Sequence, residues 1–180
     1  MRPPTTVFLD RDGTLNVQVV GGYVRRPDEL ALLPGAADAV GRLNRAGIGV
    51  VVVTNQRGVS RGLMSSQDVA AVHARLSELL AARGAHVDAV FTCPHAAGAC
   101  TCRKPATGLV LQAVQADPGI DLARSALVGD ADTDIAVGTA LGLTTVLLRA
   151  PAAPGGSAGA TRVEPDLAAA VGWLLAEPAA

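Results

Sequence analysis

The sequence predicts an α/β protein in which helices flank a central parallel sheet. Three observations lead there. Short apolar runs recur along the 180 residues, and stretches of helical periodicity separate them. The runs are continuous rather than alternating and rich in β-branched residues, as in strands buried on both faces of a parallel sheet. Several of them deliver the chain directly into polar residues, at the strand ends where open α/β sheets hold ligands.

The first run, Val7-Phe8-Leu9, leads into Asp10 and Asp12 and then Gly13, which lets the backbone turn. Residues 17–33 have mixed character, broken by Gly21-Gly22 and Pro27, and read as a loop or short flap over the end of the first strand. Within it Tyr23, the chain's single tyrosine, either contacts substrate or packs half-buried. Residues 34–46 read as a helix with Pro34 in its first turn and Gly47 after its end. Residues 48–53 form a second strand that runs into Thr54-Asn55-Gln56-Arg57-Gly58. The clearest helix covers 65–83: Ser65 and Asp68 resemble a capping box, and Val69, Val72, Leu76, Leu79 and Leu80 make one apolar stripe. His73 and His86 lack metal-ligand spacing and read as surface or packing residues.

A third strand over 87–91 delivers the chain to Cys93. Residues 107–115 read as a helix stopped by Asp117-Pro118-Gly119, and 125–128 as a fourth strand entering GDADTD at 129–134. A short helix over 135–141 closes at Gly142 before a fifth strand at 144–148. Together residues 1–150 make the core domain, 151–163 a flexible Ala/Gly/Pro linker, and 164–180 a C-terminal helix of the same domain carrying Trp173.

Composition narrows the function. The formal net charge is -1 and aromatic residues are 2% of the chain, so neither a phosphate-tracking basic surface nor stacking platforms for nucleic acid are expected. No apolar run approaches the ~20 residues that span a bilayer, and a cytoplasmic monomer is expected. The basic residues are fourteen arginines and a single lysine, Lys104, which marks a position that calls for a compact ammonium.

Two constellations carry chemistry. In an extended backbone Asp10 and Asp12 project to one side, where they repel unless a cation or shared proton relieves them. A hard divalent ion with oxygen ligands, Mg²⁺ first among them, is the simplest relief; the plainer alternative is a strand end followed by an Asp-Gly turn. The three cysteines fall within ten residues, as Cys93-Pro94-His95 and Cys100-Thr101-Cys102. Three thiolates and an imidazole suit a closed, structural Zn²⁺ site, with buried free thiols as the alternative. Such a site would fix Arg103 and Lys104, which follow at once. Asp10 and Asp12, Thr54 and Asn55, Lys104, and Asp130 with Asp134 all sit at strand ends or adjoining loops. Converging on one crevice, they supply what phosphoryl transfer to an enzyme carboxylate and then to water requires.

In FLDRDGTLN, VVVTNQRG, RKP and GDADTD, in that order, the chain resembles the haloacid dehalogenase superfamily of phosphatases. The Cys-Pro-His…Cys-x-Cys-Arg-Lys-Pro run is similar to that of its histidinol-phosphate and heptose-bisphosphate phosphatase branch. The resemblance implies a Rossmann-like fold with a zinc-bound loop and no large cap domain. It implies that Asp10 attacks phosphorus and binds Mg²⁺, and that Asp12 is the acid/base and offers its carbonyl to the metal. Thr54 and Lys104 would hold the phosphoryl oxygens, Asp130 would complete the Mg²⁺ site and Asp134 would support it from behind. Cys93, His95, Cys100 and Cys102 match the zinc ligands. Gly22, Tyr23, Thr54, Asn55, Gln56, Arg57, Arg103 and Lys104 match substrate-contacting positions. The implied substrate is a phosphorylated sugar, the C7 phosphate of a heptose 1,7-bisphosphate in nucleotide-activated heptose biosynthesis. Histidinol phosphate and a non-catalytic zinc-stabilised binding module are the alternatives.

Overall fold

The computed structural model describes residues 2–150 and 159–176. Six strands, β1 (Thr6–Leu9), β2 (Gly49–Asn55), β3 (Ala89–Cys93), β4 (Ser125–Gly129), β5 (Thr144–Leu148) and β6 (Arg162–Glu164), pair in parallel in the order β3-β2-β1-β4-β5-β6. The chain winds outward from β1 through β2 to β3, then crosses to the far side of β1 and winds outward again. Leu9 lies level with Val52 on one side and Val128 on the other. Asp10, Thr54 and Asp130 therefore emerge from one edge, at the point where the winding reverses.

Side-chain alternation in the strands sorts the core into two layers. Val7, Leu9, Val50, Val52, Val128 and Val146 face α1 (Ala36–Arg45), α2 (Ser66–Ala81) and α5 (Leu167–Leu175). Phe8, Val51, Val53 and Leu127 face α3 (Gly108–Ala116) and α4 (Asp132–Ala140). Both layers are dry at the strands, with Phe8, Leu9 and Leu127 fully buried. Burial at this level stabilises by roughly 1.5–3 kcal/mol per large side chain.

The expected capping box opens α2: Ser65 Oγ accepts from Asp68 N at 3.1 Å, and Asp68 Oδ2 accepts from Ser65 N at 2.7 Å. Two differences concern the C-terminal part. Residues 151–158, most of the expected linker, lie outside the described residues. Residues 162 and 163, placed at the linker's end, and 164, placed at the start of the C-terminal helix, instead form edge strand β6 beside β5. Its three residues are Arg, Val and Glu, so no apolar run announced it. Helix α5 is capped by Asp166, whose Oδ1 accepts from Ala169 N at 2.8 Å, and buries Leu167, Val171 and Leu174 in the same core as α1. Trp173 carries the Arg162 guanidinium 5.8 Å from its ring centroid. Among the described residues no insertion forms a separate cap, and no helix is long and apolar enough to cross a membrane.

Candidate active site and metal sites

Lys104 is the hub of the site. Its Nζ lies 2.8 Å from Asp10 Oδ1 and 2.5 Å from Asp134 Oδ1, and the three side chains are 2%, 13% and 0% exposed. Burial alone would push the ammonium's pKa down; the two carboxylates outweigh it and push it up. The Asp10 carboxyl is nevertheless raised to about 6, because its own burial outweighs the pull of Lys104. Asp130 is also raised to about 6, by burial and then by the charge of Asp10.

Oxygens of Asp10, Asp130 and Asp134 lie within 4.8 Å of one another. Hard donors crowded under mutual repulsion fit Mg²⁺ and not a soft metal. Gly13 makes the crowding possible: its φ is +83°, and a β-carbon there would overlap the Asp130 carboxylate. Arg11 N donates to Asp10 Oδ1 at 2.7 Å, so this oxygen already has two partners while Oδ2 has none among the described residues.

Asp12 points into a different set of partners. Arg11 Nη2 donates to its Oδ1 at 3.0 Å and its Oδ2 at 2.8 Å. Asn16 Nδ2 reaches Oδ1 at 2.9 Å, and Gln56 Nε2 reaches Oδ2 at 2.8 Å while also donating to Thr54 Oγ1 at 2.8 Å. The Arg11 side chain is fully buried. Nothing in the spacing of DRDG signalled that role, because a residue between two aspartates reads as solvent-facing.

The sulfur–nitrogen cluster has the dimensions of a tetrahedral site. Cys93 and Cys100 Sγ atoms are 3.5 Å apart, Cys100 and Cys102 3.3 Å, and His95 Nδ1 lies 3.3 Å from Cys102 and 3.7 Å from Cys93. Ligands at the usual Zn–S distance of about 2.3 Å would stand nearly 4 Å apart, a small expansion from these values. Burial, with Cys93 Sγ beside it, pushes the Cys102 thiol up to about 12, a cost that a bound cation would remove. The loop is seated firmly: a β-carbon at Gly108 would sit 2.5 Å from the Thr101 carbonyl oxygen. From it the chain passes to Lys104, whose backbone exchanges two hydrogen bonds with the Asn55 side chain, at 3.0 and 3.1 Å.

Above the carboxylates opens a cavity of about 460 Å³. Asp10, Asp12, Thr54, Asn55, Lys104 and Asp130 form its floor, and Gly22 and Tyr23 of the flap line its wall. Gln56, Arg57 and Arg103 do not line it. Gln56 is buried against Asp12 and Thr54, Arg57 is exposed, and Arg103, next after Cys102, is partly buried. The cation that does line the wall is Arg61, exposed and without a carboxylate partner among the described residues. Two arginines four apart in one loop look alike in sequence; the turn through 57–62, closed by Arg61 N donating to Arg57 O, separates them.

A HAD-hydrolase-like family profile matches residues 101–170. The chain is 41% identical over 191 residues to a D-glycero-D-manno-heptose-1,7-bisphosphate 7-phosphatase of Thermosynechococcus vestitus, covering 96% of each. It is 45% identical over 130 residues to a D-glycero-alpha-D-manno-heptose-1,7-bisphosphate 7-phosphatase of Mycobacterium tuberculosis, covering 72% of this chain and 68% of that one. The crystal structure of the D,D-heptose 1,7-bisphosphate phosphatase from B. bronchiseptica, complexed with magnesium and phosphate, superposes with a TM-score of 0.86 at 37% identity, covering 97% and 98%.

Proposed function

The chain belongs to the haloacid dehalogenase superfamily of phosphatases, in the branch of the heptose-1,7-bisphosphate 7-phosphatases, and from that premise we propose that it removes the C7 phosphate of D-glycero-D-manno-heptose 1,7-bisphosphate. It is a phosphoric monoester hydrolase. The observation that carries the reading is one sheet edge that gathers Asp10, Asp12, Lys104 and Asp130 under a single cavity. A binding module would have no use for a carboxylate pair beside a buried ammonium.

Asp10 Oδ2, the oxygen free of Lys104 and Arg11, attacks phosphorus while the bond from phosphorus to the C7 oxygen breaks. The leaving oxygen takes a proton from Asp12. Water then attacks the phosphorus of the aspartyl-phosphate and gives its proton to Asp12. The bond from phosphorus to Asp10 breaks, releasing inorganic phosphate and restoring the carboxylate. Thr54 and Lys104 hold the phosphoryl oxygens that do not react. Asp10, Asp130 and the Asp12 carbonyl would hold Mg²⁺, with Asp134 behind them; bound there, the ion supplies positive charge to the transferring group. Cys93, His95, Cys100 and Cys102 would hold a structural Zn²⁺. Four protein ligands leave no open position for water, so its part is to fix the loop that presents Lys104.

Arg61 favours a bisphosphate over histidinol phosphate. A sugar held by its C7 phosphate at the floor extends toward the cavity wall, where an unpaired guanidinium suits the C1 phosphate. Phosphate release from heptose 1,7-bisphosphate and from histidinol phosphate, compared with Mg²⁺ present, tests this. A clear preference for the bisphosphate is expected, and a preference for histidinol phosphate overturns the substrate assignment.

A further inference from the structure

Arg11 separates the two reactive aspartates, yet its side chain is fully buried. A guanidinium stays charged in a protein, so burying it is costly unless every face is matched. Its fork grips Asp12 through Nη2 at 2.8 and 3.0 Å and through Nε at 3.3 Å. The remaining amino group, Nη1, meets His73 Nε2 at 3.1 Å. A guanidinium only donates, so Nε2 accepts and the imidazole is neutral, its proton on Nδ1. Burial, and then the charge of Arg11, hold His73 down to about 4, which keeps that lone pair available at neutral pH.

We propose that His73 is a positioning residue: from helix α2 it fixes the Arg11 guanidinium, and Arg11 in turn fixes the plane of the Asp12 carboxylate for proton transfer to the leaving group. The other donors to Asp12 cannot do this alone. Asn16 Nδ2 is shared with the Val17 carbonyl and Gln56 Nε2 with Thr54 Oγ1, so each is a single shared contact rather than a fork. Without an acceptor at residue 73, Nη1 becomes a buried unpaired donor, and the guanidinium turns to seek another partner. Because a bidentate pair moves as a unit, the carboxylate turns with it. A histidine on α2 that merely filled space would have no such consequence.

The inference rests on Asp12 being the proton donor, and the test separates the two. With Mg²⁺ present, kcat/KM is measured for heptose 1,7-bisphosphate, whose alkoxide must be protonated, and for p-nitrophenyl phosphate, whose phenolate leaves without a proton. Asp12→Asn should depress the first far more than the second; equal losses overturn the donor reading, and the inference with it. Given that selectivity, His73→Leu should lower kcat/KM about 10-fold for the sugar and less than about 2-fold for the aryl ester. His73→Gln, whose amide oxygen can accept from Nη1, should recover most of the sugar activity. Equal losses on both substrates in His73→Leu, no loss on either, or no recovery in His73→Gln overturn the proposal. Should His73→Leu fail to fold, Arg11→Lys, which keeps the charge and loses the fork, carries the same expectation and the same refutation.

Discussion

Replacing Lys104 by methionine keeps most of the side-chain volume and removes the charge shared by Asp10 and Asp134. Asp134 remains fully buried and Asp10 largely shielded, and neither gains another cation among the described residues. Removing one partner of a buried ion pair costs about 3–5 kcal/mol, because the residual charge is uncompensated. For a chain of this size that corresponds to a fall in Tm of about 10 °C or more. The loss should depend on pH. Asp10 already stands at about 6 and Asp134 is raised, and loss of the ammonium raises both further. Carboxyls with raised folded-state pKa values weigh against the fold above those values and are relieved as pH falls through them. In metal-free protein the variant's deficit should therefore be large near pH 7.5 and shrink toward a packing loss of about 1 kcal/mol near pH 5. Thermal unfolding of both proteins at the two pH values decides it. An equal deficit at both would show that Lys104 acts there through packing and refute the charge account.

Arg61→Ala should raise KM about 10- to 100-fold for the bisphosphate and leave a heptose 7-monophosphate nearly unaffected, as expected for one charge-assisted phosphate contact; steady-state kinetics on both substrates checks it. Metal-free wild type should be more stable near pH 5 than near pH 7.5. Asp10 and Asp130, each raised from 3.8 to about 6, contribute about 1 kcal/mol apiece over that interval, and saturating Mg²⁺ should flatten the profile in denaturant titrations. One zinc per chain is expected by elemental analysis. Cys102→Ser should lose the zinc and at least about 10-fold of kcat through displacement of Lys104, whereas full activity without zinc would contradict the mounting role.

What could be read in the sequence follows from what is local. The buried strands announce themselves because a parallel strand covered on both faces must be apolar throughout, and the polar residues that end them are adjacent in sequence. The three cysteines and the histidine proposed to hold zinc lie within ten residues, so their grouping needs no knowledge of the fold. Arg11 escaped because its burial depends on a partner distant in sequence, His73 of α2, which only the folded chain brings to it. Reading His73 as a surface or packing residue left its half-burial open and missed its contact with Arg11. Arg61 could not be told from Arg57 without the turn between them, and nothing in the sequence signalled that Asn55, which lines the cavity, also ties its amide to the Lys104 backbone. β6 has charged residues on both sides of its valine and is held by its neighbour rather than by its own composition.

The central claim is that phosphate passes through Asp10. The most direct test is acid quenching during turnover of heptose 1,7-bisphosphate with Mg²⁺, using Asp12→Gln to slow hydrolysis of the intermediate, followed by mapping the phosphorylated peptide. A phosphoryl group on Asp10, absent in Asp10→Asn, is the expected result. Turnover that leaves Asp10 unmodified, or survives Asp10→Asn, would contradict it.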